Sequence, residues 1–144
     1  MMDRFDRPRA GSRGGVQVWL PDGRPADAYS AMCPSRRALD RIADKWTALI
    51  VGALGSSALR FGALSRSVDG ISEKMLTQTL RSLQRDGLVS RRVVPGAVSA
   101  VEYELTALGR TLEGPLTAIR DWAELHINEI EAARAGHDAE SRDD

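Results

Sequence analysis

Five hydrogen-bond donors recur at helical spacing along one short stretch of this 144-residue chain: Lys74, Thr77, Gln78, Arg81 and Arg85. Positions three, four and seven apart share one face of an α-helix. Lys and Arg on such a face can meet phosphate oxygens. Arg can also pair bidentately with guanine, Gln with adenine, and Thr can touch a thymine methyl. An ordinary solvated helix would show the same row, so its surroundings must decide. Cys33, the sole cysteine, is the second reactive group. It precedes Pro34, a residue suited to the first helical position. Its thiol therefore falls at a helix N-terminus with Arg36 and Arg37 in the next turn, and both effects favour thiolate. A small buried residue at a domain edge explains Cys33 equally well. With no second cysteine, an internal disulfide is excluded.

The elements around the donor row give it a purpose. Its helix should open at Ser72, a good N-cap and also a candidate DNA contact, with Glu73 at the positive end. Met75, Leu76, Leu80 and Leu83 form the inward stripe, and Gly87 follows as the stop. Two β-type runs at 88–94 and 101–105 flank a Pro95-Gly96 turn. Upstream, a helix from Pro34 carries Ala38, Leu39, Ile42 and Trp46. A second over 45–54 carries Trp46, Leu49, Ile50, Ala53 and Leu54. Leu59, Arg60 and Phe61 suggest a short edge strand, and 61–68 a brief helix with Leu64 and Val68 inward. Helix, turn, donor-bearing helix and hairpin make a winged helix-turn-helix, a module that places one helix in the DNA major groove. The expected fold is mainly α with a small β-hairpin wing.

Four segments are expected. Residues 1–32 form an N-terminal extension, disordered over 1–15, with a β arm at Val16, Val18 and Leu20 before a Pro21-Asp22-Gly23 turn. Residues 33–106 are the DNA-binding domain. Residues 107–134 make one long helix that Pro115 kinks or interrupts, and 135–144 an acidic disordered tail. Leu108 and Leu112 open the apolar face of the long helix. Leu116, Ile119, Trp122, Ala123, Ile127 and Ile130 continue it. One small domain cannot cover so long a face, so a second copy of the chain is the expected partner.

Net charge is zero, yet its distribution is uneven. Residues 34–92 hold eleven basic and five acidic side chains, whereas 121–144 hold two and eight. A basic body and an acidic tail suit a polyanionic partner. No apolar run reaches the roughly 20 residues needed to cross a bilayer. The charged N-terminus does not read as a signal peptide, and one cysteine suits a reducing cytoplasm. The two histidines, His126 and His137, lie far along the chain, so no catalytic set is expected. Spacings for a metal site or a nucleotide loop are absent, and no cofactor is expected.

The chain resembles the HxlR-type family of bacterial transcriptional regulators, relatives of the MarR group. The matching pieces are CPSRRALD at 33–40, KWT at 45–47, RFGAL at 60–64, GIS at 70–72, DGLVSRR at 86–92, VEYELT at 101–106 and DW at 121–122. The resemblance implies a dimeric winged helix on a palindromic operator, with N- and C-terminal helices forming the dimer. It implies a turn at Gly70, Ile71 and Ser72, and major-groove contacts from Lys74, Thr77, Gln78 and Arg81. Arg91 and Arg92 would sit at the wing, Tyr103 on its second strand, and Trp46 and Leu49 in the core. Family members often carry a basic residue where this chain has Ala100, so its wing should grip the minor groove weakly. Several relatives sense oxidants, quinones or aldehydes through a cysteine near position 33. The resulting expectation is a homodimeric, sequence-specific regulator of the repressor kind, responsive to an oxidant, electrophile or small molecule through Cys33 or a pocket at the dimer interface. An interaction module without specific DNA binding, or a thiol enzyme centred on Cys33 and Trp19, stays open on the residues alone.

Overall fold

The computed structural model describes residues 17–96 and 100–143. Val16, the disordered start expected over 1–15 and part of the hairpin tip lie outside the described residues. Two compact units divide the chain, Met1–Thr47 and Ala48–Asp144.

In the first unit the arm closes on itself. Trp19 and Pro25 form an antiparallel bridge. Leu20 N–H donates to the Arg24 carbonyl at 2.8 Å. Gly23 turns the chain with a φ of +85°, a conformation that costs glycine little. The arm thus finds its strand partner within its own turn. Helix α1, Pro34–Ile42, has Pro at its start and no buried residue. Leu39, on its expected apolar stripe, is exposed. Helix α2, Lys45–Ala53, begins in this unit, where the Asp44 carboxylate accepts the Trp46 N–H at 2.9 Å. Trp46 is half-buried, with the Lys45 ammonium 4.5 Å from its ring centroid.

The second unit starts within α2. Ile50, Val51 and Leu54 are buried, whereas Leu49 is 40% exposed. The expectation that Leu49 is core fails because the inward stripe runs one residue further round the helix. Strand β1, Leu59–Arg60, leads into α3, Phe61–Ser67, and a turn leads into α4, Glu73–Arg85. Strands β2, Val89–Val94, and β3, Ala100–Leu105, then form an antiparallel hairpin. β1 pairs antiparallel with the free edge of β3, giving the order β1-β3-β2. Leu64, Val68, Leu76, Leu80, Leu83, Val89, Leu105 and Leu116 are buried and make the core.

The C-terminal region departs from the single helix expected over 107–134. Helix α5, Ala107–Arg110, stops after four residues, and α6, Glu113–Arg142, follows as a separate helix of 30. Gly109 explains the tight first turn: a Cβ there would collide with the Leu88 carbonyl. Pro115 is not the break. It is the third residue of α6, where a missing N–H leaves no helical bond unmade. Nor does the helix end at 134. It runs to Arg142, through residues 135–142, whose polarity suggests disorder but which include Ala135 and Ala139, of the strongest helix-forming type.

Candidate nucleic-acid interface

Glycines and caps set where α4 begins and ends. Gly70 has a φ of +83°, which lets the chain reverse after α3. The Ser72 hydroxyl oxygen accepts the Met75 N–H at 3.0 Å, so one orphan donor of the first turn is satisfied. Ser72 was expected at the DNA; its oxygen lone pair serves the cap, and its O–H remains able to donate. At the other end Gly87 has a φ of +75°. Gly87 N–H donates to the Gln84 carbonyl at 3.0 Å and Leu88 N–H to the Leu83 carbonyl at 2.9 Å. This is a Schellman closure, with Leu83 and Leu88 both buried beneath it. The chain enters β2 directly from that closure, so the wing is fixed to the end of the helix. Thr106 ties the base of the hairpin: its hydroxyl donates to the Gly87 carbonyl at 2.6 Å and its N–H to the Leu88 carbonyl at 3.1 Å.

Leu76, Thr79, Leu80 and Leu83 of α4 are buried. Lys74, Gln78, Arg81 and Arg85 are exposed and Thr77 is half-buried, along the opposite face. Met75 departs from expectation. It is 36% exposed, and buried Thr79 takes the inward place instead. The Thr79 hydroxyl is satisfied by the Met75 carbonyl at 2.8 Å.

The two wing arginines part company. Val89, Arg91 and Val93 alternate with Ser90, Arg92 and Val94 along β2. Val89 and Leu105 are opposite each other and buried, so their side of the sheet is the one the core covers. Arg91 shares that side further along the hairpin, opposite Tyr103. Arg92 is on the outer side and pairs with Glu102, Nη2 to Oε2 at 3.1 Å. Arg60, which the sequence did not single out, is also opposite Glu102, from β1. Only the strand register reveals this.

Residues 41–131 match the HxlR-like helix-turn-helix family. The chain belongs to that family, a MarR-like group of winged helix-turn-helix transcriptional regulators rather than enzymes. It is 38% identical over 111 residues to the HTH-type transcriptional regulator YtfH of Escherichia coli (strain K12), covering 77% of this chain and 88% of that one. The solved transcriptional regulator ytfH of Salmonella typhimurium superposes with a TM-score of 0.71 at 37% identity, over 76% of this chain and 98% of that one. The redox regulator HypR in its reduced form gives 0.62 at 34% identity, over 69% and 98%. Among the described residues no helix is long and apolar enough to cross a membrane.

Cys33 of this HxlR-type chain is buried at the N-cap of α1, although it makes no side-chain cap bond. Asp27 N–H points at its sulfur, N to Sγ 3.4 Å, and the Ser35 hydroxyl is 2.9 Å away. The Asp27 N–H first, then Ser35, hold the thiol below its ordinary pKa, with a smaller push from Arg24 and an opposing one from desolvation. Arg36 and Arg37, the cations expected to do this, are not among the causes. The turn at 22–24 supplies the cation instead.

The helix expected to form the dimer is held at one end. Leu116 is 1% exposed and belongs to the protomer's own core, so it is not available to a partner as expected. Arg120 Nη1 donates to the Ala48 carbonyl at 2.9 Å, and its guanidinium covers Gly52, where a Cβ would push it aside. Beyond Arg120 no residue of α6 is buried. Ile119, Trp122, Ala123 and Ile127 are exposed and Ile130 is half-buried. Leu125, absent from the expected face, is the most exposed of these at 77%. His126 stacks tilted on Trp122, and its Nδ1 is 3.2 Å from the Glu129 carboxylate.

Proposed function

We propose that this HxlR-type chain is a sequence-specific DNA-binding regulator that acts as a homodimer on a palindromic operator in the cytoplasm, as a repressor. One observation carries the DNA-binding part: α4 presents Lys74, Thr77, Gln78, Arg81 and Arg85 to solvent while capped at both ends and fastened to a wing. Thr77, Gln78 and Arg81 are the base readers. Lys74, Arg85 and Arg91 supply phosphate contacts, and Arg92 does so once it lets go of Glu102. The dimer follows from the stretch of α6 beyond Arg120, about 33 Å of helix at 1.5 Å per residue with Trp122, Leu125 and Ile127 in water. Two-fold symmetry would set two copies of α4 in successive major grooves, about 34 Å apart. A dimer seated there would block the promoter and so repress transcription from it.

The test is a fluorescence-anisotropy titration of reduced protein against the DNA just upstream of its own gene, with excess unrelated duplex present. Tight binding that survives competitor supports the proposal. Indifference to sequence favours an interaction module and removes the operator from the account.

The thiol's surroundings favour one elaboration: Cys33 reports an oxidant, an electrophile or another small molecule to the DNA-binding state. The hydrogen bonds from Asp27 and Ser35 support it, as does the likeness to a redox regulator. The depressed pKa means the thiolate persists below the ordinary thiol range. Ser35→Ala removes one stabilising donor, so the midpoint of the pH–rate curve for Cys33 alkylation should move up. A midpoint that stays put would exclude Ser35 from tuning the thiol.

A further inference from the structure

We propose that Glu102 holds Arg92 away from the DNA backbone and thereby lowers this protein's affinity for duplex DNA of any sequence. The proposal rests on the DNA-binding reading above. Glu102 occupies the central strand, and the register places Arg60 of β1 and Arg92 of β2 directly opposite it. Directly paired residues of antiparallel strands project to the same face with Cβ atoms about 5 Å apart. Glu102 therefore shares the outer side of the wing sheet with both arginines, and its ion pair is with Arg92. It is already bonded to Arg92 at 3.1 Å. Its own side chain is 24% exposed against 58% for Arg92, so the acid is the more buried member and the arginine the more accessible to a phosphate.

A phosphate that approaches Arg92 must displace or share that carboxylate. Binding to arbitrary duplex is almost wholly electrostatic, so it bears this competition in full. Binding to the operator draws in addition on base contacts from α4, which Glu102 does not touch. Those base contacts add to the phosphate contacts without replacing them, so Glu102 is a positioning residue that weakens both complexes through the same competition for Arg92. Glu104 is the internal control. It is on the same face of β3 two residues on, but opposite Ser90 and beyond the end of β1.

The experiment compares wild type, E102Q, E104Q and E102Q/R92Q on the selected operator and on unrelated duplex, between about 50 and 200 mM salt. One extra phosphate contact changes affinity roughly threefold over that range and steepens the log–log slope by about 0.9. E102Q should therefore tighten both duplexes several-fold at low salt and steepen both slopes by about one. E104Q should leave the slope unchanged, and E102Q/R92Q should lose the gain. The isosteric Gln keeps the volume at position 102. Equal effects of E102Q and E104Q would overturn the proposal, because bulk charge would then suffice. So would an unaltered E102Q beside a wild type that binds its operator. A wild type that binds neither duplex would overturn it together with the DNA-binding reading.

Discussion

Helix α4 and helix α6 are both amphipathic, yet a single protomer completes one and not the other. On α4 the apolar side is covered, the first turn is capped by Ser72 and the last is closed through Gly87. On α6 burial ends at Leu116, and the last tie to the body is Arg120. The remaining helix exposes Trp122, Leu125 and Ile127 with nothing over them. An isolated helix keeps its shape poorly in water, because its stability comes mainly from a packed face. The first helix is therefore a finished tool, and in the proposed dimer the second is half of a joint. The difference separates what one copy can do, read a half-site, from what needs two.

The sharpest way to break that comparison is Trp122→Glu. A charge in the middle of the uncovered face should leave the protomer folded and dissociate the dimer. Two half-sites would then bind independently, and operator affinity should fall by two orders of magnitude or more, in line with lost avidity. Sedimentation velocity and anisotropy would show both, and a variant that remains dimeric would place the joint elsewhere. Arg81→Ala should act on the finished tool instead, costing about 1–3 kcal/mol of operator binding with the dimer intact. Unchanged discrimination between operator and mutated operator would strike Arg81 from the base readers. Ser72→Ala should be smallest, lowering stability by about 1 kcal/mol through the lost cap. A thermal melt reads it, and an unmoved midpoint would mean that water caps the helix as well.

How much of this could be read beforehand follows the same division. The position of α4, both of its ends and the hairpin after it were legible, because a 3.6-residue stripe, a Ser cap and a closing Gly act within the segment itself. The β1 edge strand was legible too. Met75 and Leu49 were misplaced because periodicity fixes a stripe only to within one residue. Leu116 was assigned to the partner because a continuous apolar face does not say where the protomer's own core stops. The helical end of α6 was missed because its polarity outweighed its alanines. The partners of Cys33 were invisible, since one is the backbone N–H of Asp27, six residues away, and the cation is Arg24 rather than Arg36 or Arg37. The tie of Arg92 to Glu102 depends on pairing across strands, which no local pattern encodes.

The central claim is that two copies of α4, joined through α6, read one palindrome. Selection of bound duplexes from a random library with reduced, full-length protein tests it most directly. The account predicts an inverted repeat whose half-sites are centred about one helical turn, roughly 10 base pairs, apart. Recovery of a single unrepeated motif, or of no enriched sequence at all, would contradict it.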